Sequence, residues 1–273
     1  GDGGIGGNAY SQGVYGNLGS ITSVSADLIK AVATGGNGGN AGSGGANGNA
    51  GSLGAEAKAY GIYAESGAVV NLSAKTPSGT IKIGAKADNA QNTEAYAVYA
   101  DKATVLFNDN AVLNTSDGST DDNTVLTYLK DATLGFGGTD ANRTVTGGTL
   151  KLEGSNTFRV TTDLKSDAAD KFTFNSLATG SSTEKQYITV GYEAALDPYK
   201  EGSIEANGGI PIDVLEITNL NGQDLKNFTG GTTTLDSVIY QFNTTPDIQL
   251  DGSGNKVQIT GVTTTKTPFA SER

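Results

Sequence analysis

The sequence predicts an all-β chain: a parallel β-helix, that is, a solenoid, with a C-terminal β-hairpin cap. Apolar residues alternate over short runs, as in Leu150 and Leu152, Phe158 and Val160, and Phe172 and Phe174, which places each pair on one face of an extended chain. The same motifs return at distances too long for a hairpin, so like strands stack on like. Helical periodicity is almost absent, and Gly, Asn, Asp and Thr interrupt the runs too often for a doubly wound or barrel fold.

From the N-terminus, Ala9-Tyr10 with Gly13-Val14-Tyr15 is a faint first copy of the repeated strand. Ser25 to Val32 reads equally as a short capped helix, with Leu28, Ile29 and Val32 on one side, or as another strand. Gly35 to Gly54 fits a loop protruding from the coils or glycine packing in tight turns. Ala59-Tyr60-Gly61-Ile62-Tyr63-Ala64-Glu65 returns 36 residues later as Ala95-Tyr96-Ala97-Val98-Tyr99-Ala100-Asp101, and Val69-Val70 then returns as Val105-Leu106. Tyr99, Ala103, Thr104 and Phe107 recur 29 residues on as Tyr128, Ala132, Thr133 and Phe136.

Gly147-Gly148, Gly154-Ser155 and Lys165 to Asp170 mark turns around the next three strands. Residues 212–219 and 237–243 supply further strands, with a turn at Asn221-Gly222. Asp247 to Leu250 and Lys256 to Ile259 alternate in register around the polar run 251–255, which signals a hairpin. At roughly 25 residues per coil the chain makes about eleven coils, a rod on the order of 50 Å long at ~4.8 Å per coil. Open sheet ends template aggregation, so a cap is expected.

The 273 residues include no Cys, His or Met. Disulfides, thiolate or imidazole metal sites and His-dependent nucleophilic catalysis are therefore excluded. The lack of Met leads to the expectation that the chain is an excised segment of a longer precursor. No run approaches the roughly 18 apolar residues of a membrane helix, and no signal-peptide pattern opens the chain. The first 90 residues hold five acidic and five basic side chains, so the net charge of -11 arises entirely after them. An acidic chain without a Lys/Arg cluster repels phosphate, so neither nucleic acid nor an anionic lipid surface is an expected partner.

Residues 147–174, GGTLKLEGSNTFRVTTDLKSDAADKFTF, resemble the pattern G-T-L-x-L-x-G-x-(S/N)-T-F-x-(V/L)-x-(T/V)-D-L followed by A-D-(K/Q), found near the C-terminal end of pertactin-like autotransporter passengers. The resemblance covers about residues 144–262. It implies a right-handed parallel β-helix exported by type V secretion and displayed on the surface of a Gram-negative cell, anchored in the outer membrane or released. It implies an outer-membrane barrel belonging to the same precursor, and a stem that folds early and templates the coils before it. The expected organisation is glycine-rich coils with variable loops over 1–143, stem and cap over 144–262, and a polar tail or linker over 263–273. The absence of Cys suits a chain that crosses the outer membrane unfolded.

The expected function is that of a monomeric adhesin, with no cofactor and no catalytic activity, binding a host or bacterial surface protein or glycan. Tyr60, Tyr63, Tyr96 and Tyr99 are the candidate ligand platform. Tyr60 and Tyr63 stand three apart, so a regular strand sends them to opposite faces, and one row of stacked copies projects outward as an aromatic ladder. The plainer role of the same stack, and the one the sequence favours, is to stabilise neighbouring rungs.

Two further roles stay open: a structural stalk and folding template for an upstream effector domain, or a β-helix enzyme that degrades polysaccharides. For the enzyme, Asp121-Asp122 are the candidate carboxylates, but neighbours on a strand point apart and the surrounding DGSTDDN reads as a solvated turn. The glycine-rich stretch lacks the Asp ligands of a calcium-binding roll and the Gly-Lys-Ser/Thr of a phosphate loop, so no metal is expected there. Sequons at Asn71, Asn114, Asn142, Asn227 and Asn243 are expected by chance in a chain so rich in Asn and Thr.

Overall fold

A computed structural model describes residues 2–42, 48–166, 168–191 and 199–268. The first strands are β1 (Ala9–Gly16), β2 (Ile21–Ser25), β3 (Leu28–Thr34), β4 (Gly54–Glu65), β5 (Val69–Ser73), β6 (Thr80–Asp88) and β7 (Ala90–Asp101). Next come β8 (Thr104–Phe107), β9 (Asn110–Thr115), β10 (Leu126–Lys130), β11 (Thr133–Phe136), β12 (Thr144–Glu153), β13 (Thr157–Thr161) and β14 (Lys171–Leu177). The last are β15 (Gln186–Gly191), β16 (Gly202–Glu205), β17 (Ile212–Asn219), β18 (Phe228–Gly230), β19 (Thr233–Asp236), β20 (Tyr240–Leu250) and β21 (Lys256–Pro268). No α-helix occurs among the described residues, and no helix is long and apolar enough to cross a membrane.

The chain is all-β and its stacking is parallel. One column runs β1-β4-β7-β10-β12-β14-β17, a second runs β2-β5-β8-β11-β13-β15-β18, and β3-β6-β9 form a shorter third that joins the first at β12. Every step within these columns is parallel. This order is compatible with a β-helix. The first column then turns antiparallel: β17 pairs with β21, β21 with β20, and β20 with β19, so that sheet is mixed.

The repeats are the registers of these ladders. Tyr60 lies opposite Tyr96, Tyr99 opposite Tyr128, and Ala9 opposite Ala57. The second column slips by one residue from the expected alignment, with Val70, not Val69, opposite Val105. Inward positions form continuous apolar rows, such as Val70, Val105, Leu134, Phe158 and Ile188, all fully buried. Each such side chain contributes about 1.5 to 3 kcal/mol. Phe136 and Phe158 both pack on Phe172, at ring-centroid distances of 4.8 Å and 5.5 Å.

Several expectations need correction. The first column has seven parallel strands, which span about 30 Å at ~4.8 Å per step, and not eleven. The spacing is longer than assumed because Ala9 to Ala57 takes 48 residues and Phe172 to Leu215 takes 43. Of the two readings of Ser25 to Val32, the structure shows the strand: β3 begins at Leu28. Gly147-Gly148 is not a turn but lies inside β12, where two successive inward positions bend the strand. Residues 237–239 form the tight connection between β19 and β20, with Val238 96% exposed. The tail expected over 263–273 is strand as far as Pro268, paired with β20, and 269–273 lie outside the described residues.

The described part of the glycine-rich stretch does not protrude. Residues 2–8, 35–42 and 48–53 hold no strand, yet they run side by side. Gly6 N donates to Ser52 O at 2.9 Å, Gly36 N to Gly7 O at 2.8 Å and Gly51 N to Gly39 O at 2.8 Å. The contact glycines recur every third residue, as Gly3 and Gly6, Gly36 and Gly39, Gly51 and Gly54, which is the period of a polyproline II chain. A Cβ on Gly6 would overlap Gly36 O, and one on Gly51 would overlap Gly4 O, so only glycine permits this approach. Residues 43–47 lie outside the described residues.

Candidate functional site: a tyrosine ladder on one face

The four platform tyrosines come together, and both rows face outward. In β4 the inward positions are Ala57, Ala59, Gly61, Ile62 and Ala64. Two consecutive inward residues, Gly61 and Ile62, break the alternation, so Tyr60 and Tyr63 share one face instead of pointing apart. A Cβ at Gly61 would overlap Ile83 Cγ2 and lie 2.8 Å from Ala97 O, which is why the bend carries glycine. In β7 the same bend falls at Ala97 and Val98, between Tyr96 and Tyr99.

The rings stack along the column. Tyr60 and Tyr96 lie 5.1 Å apart and Tyr63 and Tyr99 lie 4.8 Å apart, each pair within 5° of parallel. The two rows meet edge to face, as between Tyr60 and Tyr63 at 5.0 Å. The ladder is longer than the four residues named from the sequence. Tyr128 stacks on Tyr99 at 4.6 Å and Tyr15 leans on Tyr63 at 5.5 Å. Both were visible as members of the repeat. Missing from the sequence was the bend that puts them on the same face.

Carboxylates line the ladder. Tyr10 Oη donates to Glu56 Oε2 at 2.7 Å, Tyr15 Oη to Glu65 Oε1 at 2.8 Å, and Tyr63 Oη to Glu65 Oε2 at 3.2 Å. Tyr96 Oη donates to Glu94, and Tyr128 Oη donates to Glu153 Oε2 at 2.8 Å. Lys58 sits 3.7 Å from both Glu56 and Glu94, and Lys151 Nζ lies 5.8 Å above the Tyr128 ring at the C-terminal end of the stack. Burial, with the neighbouring Tyr99 and Glu94 adding to it, pushes the Tyr60 phenol up to about 12. Burial also raises Tyr63, Tyr96 and Tyr128, with Glu65, Glu94 and Glu153 respectively reinforcing the shift. These phenols therefore stay protonated donors over the whole physiological range.

Chemically, the ladder offers ring edges and hydroxyls to solvent while most ring faces are spent on neighbouring rings. Tyr96 and Tyr128 are only 8% and 7% exposed, whereas Tyr10 and Tyr15 are 61% and 47% exposed. Beside the ladder, a cleft of about 390 Å³ is lined by Lys86, Thr93, Glu94, Asp122 and Leu126. A second cleft of about 480 Å³ lies further along, over Leu177, Leu225 and Phe228.

Asp121 bridges back to Thr115, and Asp122 Oδ1 accepts from Thr124 N at 3.0 Å, so both belong to a turn that closes on itself. No group of three or more acidic side chains placed to hold a metal ion occurs among the described residues. No protein-family model, no curated protein and no solved structure matches this chain.

Proposed function

We propose that the chain is part of the passenger of a pertactin-like autotransporter, a right-handed parallel β-helix displayed outside a Gram-negative cell and acting there as an adhesin. The observation that carries this is the column of seven parallel strands closed at one end by antiparallel β19, β20 and β21. The 147–174 pattern adds its support: its paired residues Leu150, Leu152, Phe158, Val160, Phe172 and Phe174 are all buried in this stack. Adhesion runs through the tyrosine ladder and its carboxylates, which suit a glycan or a protein surface. Host-cell, matrix and bacterial-surface binding by the purified chain is the direct test. Replacement of Tyr60, Tyr63, Tyr96 and Tyr99 by Ser abolishes that binding if the ladder is the platform. Lost stability with unchanged binding removes the ladder from the function.

One observation favours a second role, that of a stalk and folding template for an upstream effector domain. The Tyr60–Tyr96 and Tyr63–Tyr99 faces are already covered by one another, an arrangement that stiffens the column. A chain that binds no surface but speeds refolding of a longer precursor supports the stalk.

A further inference from the structure

We propose that the tyrosine column is a path for one-electron oxidation, and that Tyr15 at its exposed end is where an oxidised copy becomes covalently joined to a second copy of this chain. Contact is continuous along the path. Tyr128 to Tyr99 is 4.6 Å, Tyr99 to Tyr63 is 4.8 Å, and Tyr63 to Tyr15 is 5.5 Å between ring centroids. Tyr63 is the only ring touching Tyr15 among the described residues, so it is the sole bridge to that end.

The proton side of the chemistry is also in place. A neutral phenol loses an electron readily only when its proton can leave at the same time, which requires a hydrogen-bonded base. Tyr128 has Glu153 at 2.8 Å, Tyr63 has Glu65 at 3.2 Å, and Tyr15 has the other oxygen of Glu65 at 2.8 Å. Tyr99 has no such carboxylate among the described residues and is crossed through its ring contacts. The chain holds no Cys, Met, Trp or His, so its phenols are its most oxidisable side chains.

Exposure gives the path a direction. It rises from 7% at Tyr128, through half-buried Tyr99 and Tyr63, to 47% at Tyr15, so a radical meets another molecule most readily at the Tyr15 end. Tyr10, the other exposed phenol of β1, stands five residues away, about 16 Å along the strand, too far to couple within one copy. With hydrogen peroxide as oxidant, acting through a haem peroxidase, each of two Tyr15 phenols gives one electron to the oxidant and its proton to Glu65. The two radicals form one carbon–carbon bond ortho to their oxygens, and each ring loses the hydrogen it carried there. In sum, two phenols and one peroxide yield one dityrosine and two waters.

Because the chain has no cysteine, Lys151→Cys accepts a single thiol-linked ruthenium polypyridyl photo-oxidant beside Tyr128, with persulfate as the final electron acceptor. Illumination is expected to give covalent dimers whose cross-linked peptide contains Tyr15. Tyr63→Phe keeps a ring in the stack but removes the oxidisable hydroxyl, and is expected to lose the dimer. Circular dichroism checks its fold, and Glu65→Gln, which removes the base and keeps the ring, is expected to lose the dimer as well. An undiminished dimer yield in both variants, or oxidation that stays on Tyr99 and Tyr128, overturns the proposal.

Discussion

Arg143 and Asp170 grip each other across two layers of the stack: Nε donates to Oδ1 at 3.0 Å and Nη2 to Oδ2 at 2.9 Å. Asp170 is fully buried and also accepts the backbone amides of Arg143 and Thr161. Arg143 further donates to the carbonyls of Gly137 and Asp140, pinning the connection between β11 and β12. Asp170→Ala leaves a buried guanidinium without its partner. The expected loss is about 3 to 5 kcal/mol, read as a lower urea midpoint, whereas an unshifted midpoint would make the pair ornamental.

The glycine triple at the N-terminal end makes an equally sharp contrast. Gly51→Ala forces a methyl group into Gly4 O, while a Cβ at Gly4 itself meets nothing within 4 Å. Gly51→Ala is expected to cost about 1 to 3 kcal/mol as overpacking and to speed hydrogen exchange at the Gly36 and Gly39 amides. Gly4→Ala should leave both unchanged, and equal behaviour of the two variants would contradict the packing.

Tyr99 is the most connected ring of the ladder, stacked on Tyr63 and Tyr128 and edge-on to Tyr60 and Tyr96. Tyr99→Ser is expected to cost about 3 to 5 kcal/mol, from lost burial and lost ring pairs together. Tyr99→Phe keeps the rings and is expected to cost under about 1 kcal/mol. Thermal unfolding of the two variants separates ring stacking from the hydroxyl.

Alkaline pH probes the same residues. The Tyr60 phenol, held up to about 12, keeps its proton in the folded chain where the unfolded chain releases it near about pH 10. A raised folded pKa gives stability that is whole below the unfolded value and lost as pH climbs through the folded one. Stability is therefore expected to fall between about pH 10 and about pH 12. Urea midpoints across that window, followed with phenolate absorbance, check the slope, which should be shallower in Tyr60→Phe.

Much of this architecture is legible from the sequence because a parallel in-register stack writes its geometry as repeats. Tyr60 opposite Tyr96 and Tyr99 opposite Tyr128 follow directly from copied strings, and the hairpin around 251–255 from its alternation. Side-chain direction was harder to read. Period-two reasoning sends Tyr60 and Tyr63 apart, and it fails because Gly61 and Ile62 both turn inward at a bend that only the neighbouring layers define.

Likewise Asp170 reads as part of a polar loop, since its partner Arg143 lies 27 residues upstream and nothing local announces the pair. Buried Asn156, which accepts from Ala132 N and donates to Gln186, is another polar residue whose role is set by adjacent layers. The glycine period of three was present in plain text. It escapes notice because its three segments are far apart in the chain and meet only in space.

The parallel columns also decide how the molecule responds to pulling. Tension applied between its ends loads the ladders layer after layer in series, so each layer gives way separately instead of the whole fold yielding at once. Peeling β10 from β12, where Leu126 faces Thr149, frees 23 residues, and peeling β1 from β4, where Ala9 faces Ala57, frees 48. At ~3.3 Å per residue these are steps of about 75 Å and about 160 Å. A single-molecule force trace should therefore show unequal, stepwise lengthening, each step set by the number of residues between one layer and the next.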